Sequence, residues 1–276
     1  MKNFDMQRFM KANKWLWAVN LNMAMKGTLL FGLAIFLMSS MIVGGFVGVN
    51  SSEGLTPDSS VPPMILVISF FYFLTVASGI TLDMKSNQAR INTMMLPASN
   101  LEKFLSRILF VTIGGIVSMI LGLLCADILQ MLISLVRMKD VGSLSVVFFK
   151  FIANSHFGMA PFSAFVFFVL SVMWFQSCYV LGGTFFRRNQ WLLTTITGFC
   201  LSLLFMWSMV VWADSWSFGT NDDGTYTFFG DQYVLDPEGT MWMVNVIAVL
   251  LISFNYWLSY RLFCRMQVIN NKWINL

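Results

Sequence analysis

From Gly27 to Val49 the chain carries no charged residue, and comparable apolar runs follow near 64–82, 108–136, 161–186, 191–212 and 241–263. Crossing a hydrocarbon core of about 30 Å takes roughly 20 helical residues, so each run is long enough to span a bilayer. Only helices and closed barrels satisfy every backbone polar group in lipid. Barrel strands alternate apolar and polar residues over segments of about ten, whereas these runs are unbroken. Six transmembrane helices are therefore expected. The remainder of the 276-residue chain agrees: 57% of residues are hydrophobic and 11% charged, with a mean hydropathy of +0.72. Soluble domains carry about 25% charged residues.

Lys and Arg resist translocation, so their distribution orients the spans. Five of the 17 precede the first run (Lys2, Arg8, Lys11, Lys14, Lys26), and four lie between the second and third (Lys85, Arg90, Lys103, Arg107). Arg187 and Arg188 follow the fourth run, and Arg261, Arg265 and Lys272 close the chain; only Arg137, Lys139 and Lys150 fall on the other side. Both termini are thus expected in the cytoplasm. The net charge of +4 reflects this asymmetry and gives no sign of nucleic-acid binding. A seventh crossing at "SLSVVFFKFIANSHFGMA" (143–160) would invert this bias and would bury Lys150, Asn154 and His156 at mid-bilayer, where such residues are costly. An outer-face interfacial or re-entrant helix is expected there.

The opening segment, 1–26, is basic and then enters a run too long for a signal-peptide core, with no A-x-A cleavage site. It reads as an interfacial helix with Phe4, Phe9, Trp15 and Trp17 at headgroup depth; a plain signal anchor is the alternative. One transmembrane domain, 1–276, is expected, with 27–263 holding the spans and 264–276 a cytoplasmic tail.

Several chemistries lack their parts. No G-x-x-x-x-G-K-[ST] motif occurs, so the chain itself holds no P-loop for ATP. A single histidine, His156, excludes H-E-x-x-H chemistry and makes no triad, and the four cysteines form no CxxC pair, so no catalytic residue and no metal site are assigned. Among the spans, Asp127 is read as an outer-interface residue, with a proton or ion site as the alternative. Gln176, Asn245 and Asn255 are read as interhelical hydrogen-bonding residues. Gly114, Ser118, Gly122 and Ala126 recur every fourth residue, a small-residue stripe that lets helices approach closely. Packing against a neighbouring span is expected, with a dimer interface or a translocation-path wall as alternatives. In the acidic loop 213–240, "TYTFF" and "QYVL" flank Gly230-Asp231 and read as a small hairpin.

The stretch "RINTMMLPASNLEKFLSR", Arg90 to Arg107, interrupts this apolar pattern on the cytoplasmic side. Pro97 ends any helix arriving from span two. Ser99 with Glu102 three residues on forms a capping box that starts another. Leu101, Phe104, Leu105 and Ile108 follow at helical spacing, which leaves Glu102, Lys103 and Arg107 for the polar surface. A capped cytoplasmic elbow exposed to a protein partner is expected; a turn resting on the membrane is the alternative.

At these residues "MMLPASNLEKFLSRILF" resembles the "LPVSR..E...GK.L" signature in the first cytoplasmic loop of type-2 ABC transporter permeases, and is most similar to divergent members from Bacteroidetes. The usual acidic-Arg-Gly stretch upstream is replaced by "MKSNQARIN", which keeps Arg90. The resemblance implies that Arg90, Leu96, Pro97, Ser99, Glu102 and Lys103 belong to a coupling helix docking on a separate ATPase subunit. It further implies a homodimer or heterodimer of permeases in the bacterial cytoplasmic (inner) membrane, exporting substrate, with ATP and Mg held by the partner ATPase and no cofactor in this chain. A non-transporting scaffold or sensor and a secondary transporter stay open, although the latter ordinarily shows repeats and midplane ligands.

Overall fold

A computed structural model describes residues 5–42, 60–84, 87–137, 143–154, 162–186, 189–213, 219–220, 226–228, 231–233 and 237–265. The described chain is almost entirely helical: α1 (Met6–Ile42), α2 (Val61–Ser78), α3 (Asn87–Met95), α4 (Asn100–Leu109), α5 (Gly115–Arg137), α6 (Leu144–Asn154), α7 (Phe162–Phe185), α8 (Gln190–Ala213) and α9 (Pro237–Arg265). A 3-10 stretch, Gly79–Met84, extends α2, and a π-helical turn, Phe110–Gly114, joins α4 to α5 without a break. Before α9, three short strands, β1 (Gly219–Thr220), β2 (Tyr226–Phe228) and β3 (Asp231–Tyr233), pair antiparallel in that order.

Five helices among the described residues are long and apolar enough to cross a membrane: Met6–Ser40, Val61–Met84, Asn100–Ile133, Phe162–Phe185 and Met241–Arg265. α6 spans only 11 residues, about 16 Å at 1.5 Å per residue, too short for a crossing. His156 and the rest of 155–160 lie outside the described residues, as does the tail beyond Arg265.

The expected division of the N-terminus into an interfacial helix (1–26) and a separate first span is corrected by the structure. α1 runs unbroken for 37 residues, about 55 Å. No proline interrupts Met6 to Ile42. Its first turns lie against α4 instead of bending away: the Asp5 N–H donates to Glu102 Oε1 at 2.9 Å, and the Ser106 hydroxyl to Asn13 Oδ1 at 3.1 Å.

Contacts along the helices set their directions. Asn13 meets Ser106, Trp17 packs edge-on against Phe110 at 5.3 Å, and Gly32 meets Gly122, so α1 runs parallel to the α4–α5 rod. α2 returns between them, with the Phe31 and Tyr72 rings stacked at 4.3 Å and Tyr72 donating to Ser118 at 3.1 Å. One apolar core, with Phe31, Ile35, Ile65, Leu123 and Leu144, lies among α1, α2, α5 and α6. α7 and α9 are also parallel: Asn245 donates to the Ser163 carbonyl at 3.1 Å and Asn255 to the Ser177 hydroxyl at 3.0 Å. A second core, including Ala77, Ile80, Phe104, Val180 and Phe263, gathers the ends of α2, α7 and α9 beneath α4.

Candidate functional site

α4, the helix of the expected elbow, begins at the capping box read from the sequence. Leu96, Pro97 and Ala98 separate α3 from α4, and Ser99 caps α4 with the full box. Glu102 N–H donates to Ser99 Oγ at 3.3 Å, and the Ser99 N–H donates to Glu102 Oε2 at 2.8 Å. Glu102 thereby satisfies two backbone donors, its own cap's and that of Asp5.

The orientation of α4 corrects the expectation of an exposed polar face. Glu102, Lys103 and Arg107 are 0%, 9% and 2% exposed, while Leu101 and Leu105 face outward, lining an apolar groove with Tyr256, Trp257 and Tyr260. Next to lipid, polar groups turn toward the bundle interior, where they find partners. Arg107 Nη2 donates to Asp83 Oδ2 at 2.7 Å, both side chains being enclosed, and its guanidinium lies 5.1 Å from the centre of the Phe263 ring. Ser106 and Glu102 are met by α1. α1 and the end of α2 are thus joined to the elbow through polar contacts, and α9 through the Phe263 ring.

What the elbow does expose is α3 and the turn after it. Ile91 and Asn92 are exposed, Met95 is 78% exposed, and Pro97 lies at the surface with Leu96 half-buried. Arg90 falls within α3, but its side chain lies outside the described residues.

The small-residue stripe packs against the chain's own neighbours. A Cβ on Gly122 would run into the Phe31 ring, and one on Gly32 would lie 2.7 Å from the Gly122 carbonyl oxygen. Ser118 accepts from Tyr72, and Ala126 is fully buried. Gly114 differs: a Cβ there would find nothing nearer than 3.7 Å.

Asp127 anchors α6. Its carboxylate accepts from the Leu144 N–H at 2.9 Å and from the hydroxyls of Ser143 and Ser145 at 2.7 and 2.6 Å, which accounts for a buried acid by helix capping. Gln176, fully buried, donates to Thr112 at 3.0 Å in the π-helical turn. Among the described residues no group of three His, Cys, Asp or Glu could hold a metal ion.

Residues not singled out from the sequence complete the site: Asp5, Asn13, Asp83, Thr81 and Gln190. Gln190 Nε2 donates to Thr81 Oγ1 at 2.5 Å and to the Gly183 carbonyl at 3.0 Å, binding the first turn of α8 to the ends of α2 and α7. Asp83 carried a readable signal, an acid closing one span opposite a base opening the next. No protein-family profile, curated protein or solved structure matches the chain.

Proposed function

We propose that this chain is the membrane-spanning permease subunit of an ATP-driven ABC transporter of the exporter kind, paired with a second permease and energised by separate ATPase subunits that hold ATP and Mg. The observation that carries the reading is the elbow's construction. A capped helix is bonded to α1 through Asp5 and Asn13 and to the end of α2 through Asp83, while α3 and the Pro97 turn stay exposed. A push on α3 would therefore reach α1 and α2 through short polar contacts. The docking surface moves from Glu102 and Lys103, which are enclosed, to Ile91, Met95 and Pro97. Leu96 and Ser99 shape the turn, and Arg90 stands on the same short helix.

A photo-crosslinking residue at Met95, in native membranes, is expected to capture a protein that contains a P-loop. The same residue at outward-facing Val246 on α9 is expected not to. Capture of no P-loop protein from Met95, or equal capture from both positions, removes the docking role.

Six crossings in the bacterial cytoplasmic membrane belong to the same reading. The parallel course of α7 and α9 supports a recrossing by the chain between them, for which the 24 residues of α8 offer about 36 Å. Together with the Lys and Arg bias, this supports a cytoplasmic position for both termini and α3. With the four native cysteines replaced, Asn92→Cys and Asp222→Cys are expected to label from opposite faces; labelling from one face leaves α8 outside the bilayer and ends the six-span count.

A further inference from the structure

Between α1, α2 and the α4–α5 rod lies a cavity of about 220 Å³. Its walls are mainly apolar, with Tyr72 and Ser118 toward one end and the Asp83–Arg107 pair toward the other. Tyr72 and Asp83 are eleven positions apart along α2 and its 3-10 extension, roughly 16 Å or slightly more by helical rise. The cavity is therefore a slot along α2, and one feature marks what would fill it. Arg107 is enclosed, and while Nη2 is taken by Asp83, Nη1 has no hydrogen-bond partner among the described residues. An enclosed donor without an acceptor is costly, and an oxygen supplied from the slot would satisfy it.

We propose that the slot binds a single acyl chain whose carbonyl or carboxyl oxygen accepts from Arg107 Nη1. The apolar length suits the hydrocarbon. The Asp83 carboxylate already balances the guanidinium, so the recognised head needs one acceptor oxygen and no compensating charge; an ammonium head offers Nη1 no acceptor. Two sources share this chemistry, a chain of a membrane phospholipid and a free fatty acid. The site lies within one chain and is independent of any ATPase.

Gly114 supplies the test. It lines the slot, and a Cβ there would meet Phe110 and Trp17 only at ordinary contact distances of 3.7–3.8 Å, so Gly114→Leu places a side chain there while improving helix propensity. Gly198→Leu, on α8 with nothing within 4 Å of its Cβ position, is the control. Native mass spectrometry in amphipol is read before and after addition of lauric acid or lauroyl lysophosphatidylcholine. Wild type and Gly198→Leu are expected to carry one acyl species per chain, and Gly114→Leu to carry it about tenfold less, a factor worth about 1.4 kcal/mol. Dodecylammonium, with the same chain and a cationic head, is expected to bind at least about tenfold more weakly than laurate. Retention or uptake of the phospholipid assigns the membrane source, and of the fatty acid alone the free acid. No acyl species on wild type in either state, equal occupancy in Gly114→Leu, or equal binding of dodecylammonium overturns the proposal.

Discussion

Arg107→Leu is expected to lower the thermal midpoint of the amphipol-held protein severely, and Asp83→Leu to do nearly as much, while the double substitution returns most of the loss. The pair is enclosed, with side chains 2% and 5% exposed and 2.7 Å between Nη2 and Oδ2. Removing one partner leaves the other charge buried without compensation, a cost of about 3–5 kcal/mol, whereas exchanging a buried pair for apolar side chains is often neutral or favourable. The Phe263 ring beneath the guanidinium and the apolar walls of the slot give two leucines suitable surroundings. Single variants near the wild-type midpoint would mean that water reaches the pair. A double variant with the summed loss of the two singles would mean that the groups act through other partners.

The same residues show how far the sequence could be read. The capping box was legible because its signal is local: Ser99, Glu102 and the helical spacing after them lie within one turn or two, and α4 starts there. Which way α4 faces was not legible, because periodicity separates an apolar from a polar side without saying which side meets protein. Beside lipid the usual assignment inverts, and Glu102 and Arg107 turn inward while Leu101 and Leu105 turn out. A charge reversal at Glu102 and Lys103 would consequently disturb the α1 contact and folding before it reported on any partner. The long apolar runs announced membrane helices for a comparable local reason, since length and composition suffice. The unbroken passage from the basic segment into the first span is not legible, because basic, aromatic-rich sequence fits both an interfacial helix and the protruding end of a long one. Contacts from α4 to Asp5 and Asn13, some ninety positions away, decide between them. Asp127 reads from the sequence as an interface residue, but its employment as the cap of α6 depends on a turn that only the fold closes.

Gly122→Leu and Gly114→Leu make the same chemical change on one stripe of one rod, and opposite outcomes are expected. At Gly122 the backbones of α1 and α5 touch: a Cβ would enter the Phe31 ring and come within 3.3 Å of the Thr28 carbonyl oxygen. Phe31 has nowhere to retreat, being stacked on Tyr72, whose hydroxyl is held by Ser118. Gly32 closes the crossing from the other side, since its own Cβ would strike the Gly122 carbonyl. Without a hydrophobic drive in lipid, such close backbone approach is what holds the helices together. Forcing a side chain into it is expected to cost about 1–3 kcal/mol or more, seen as a lowered thermal midpoint and an α1 that protease reaches more readily. Two turns away Gly114 opens on the slot, and its leucine should leave the midpoint at or above that of wild type. If Gly122→Leu keeps the wild-type midpoint, the two helices do not cross where the stripe brings them together. If both variants fall equally, the slot beside Gly114 is closed in the folded protein.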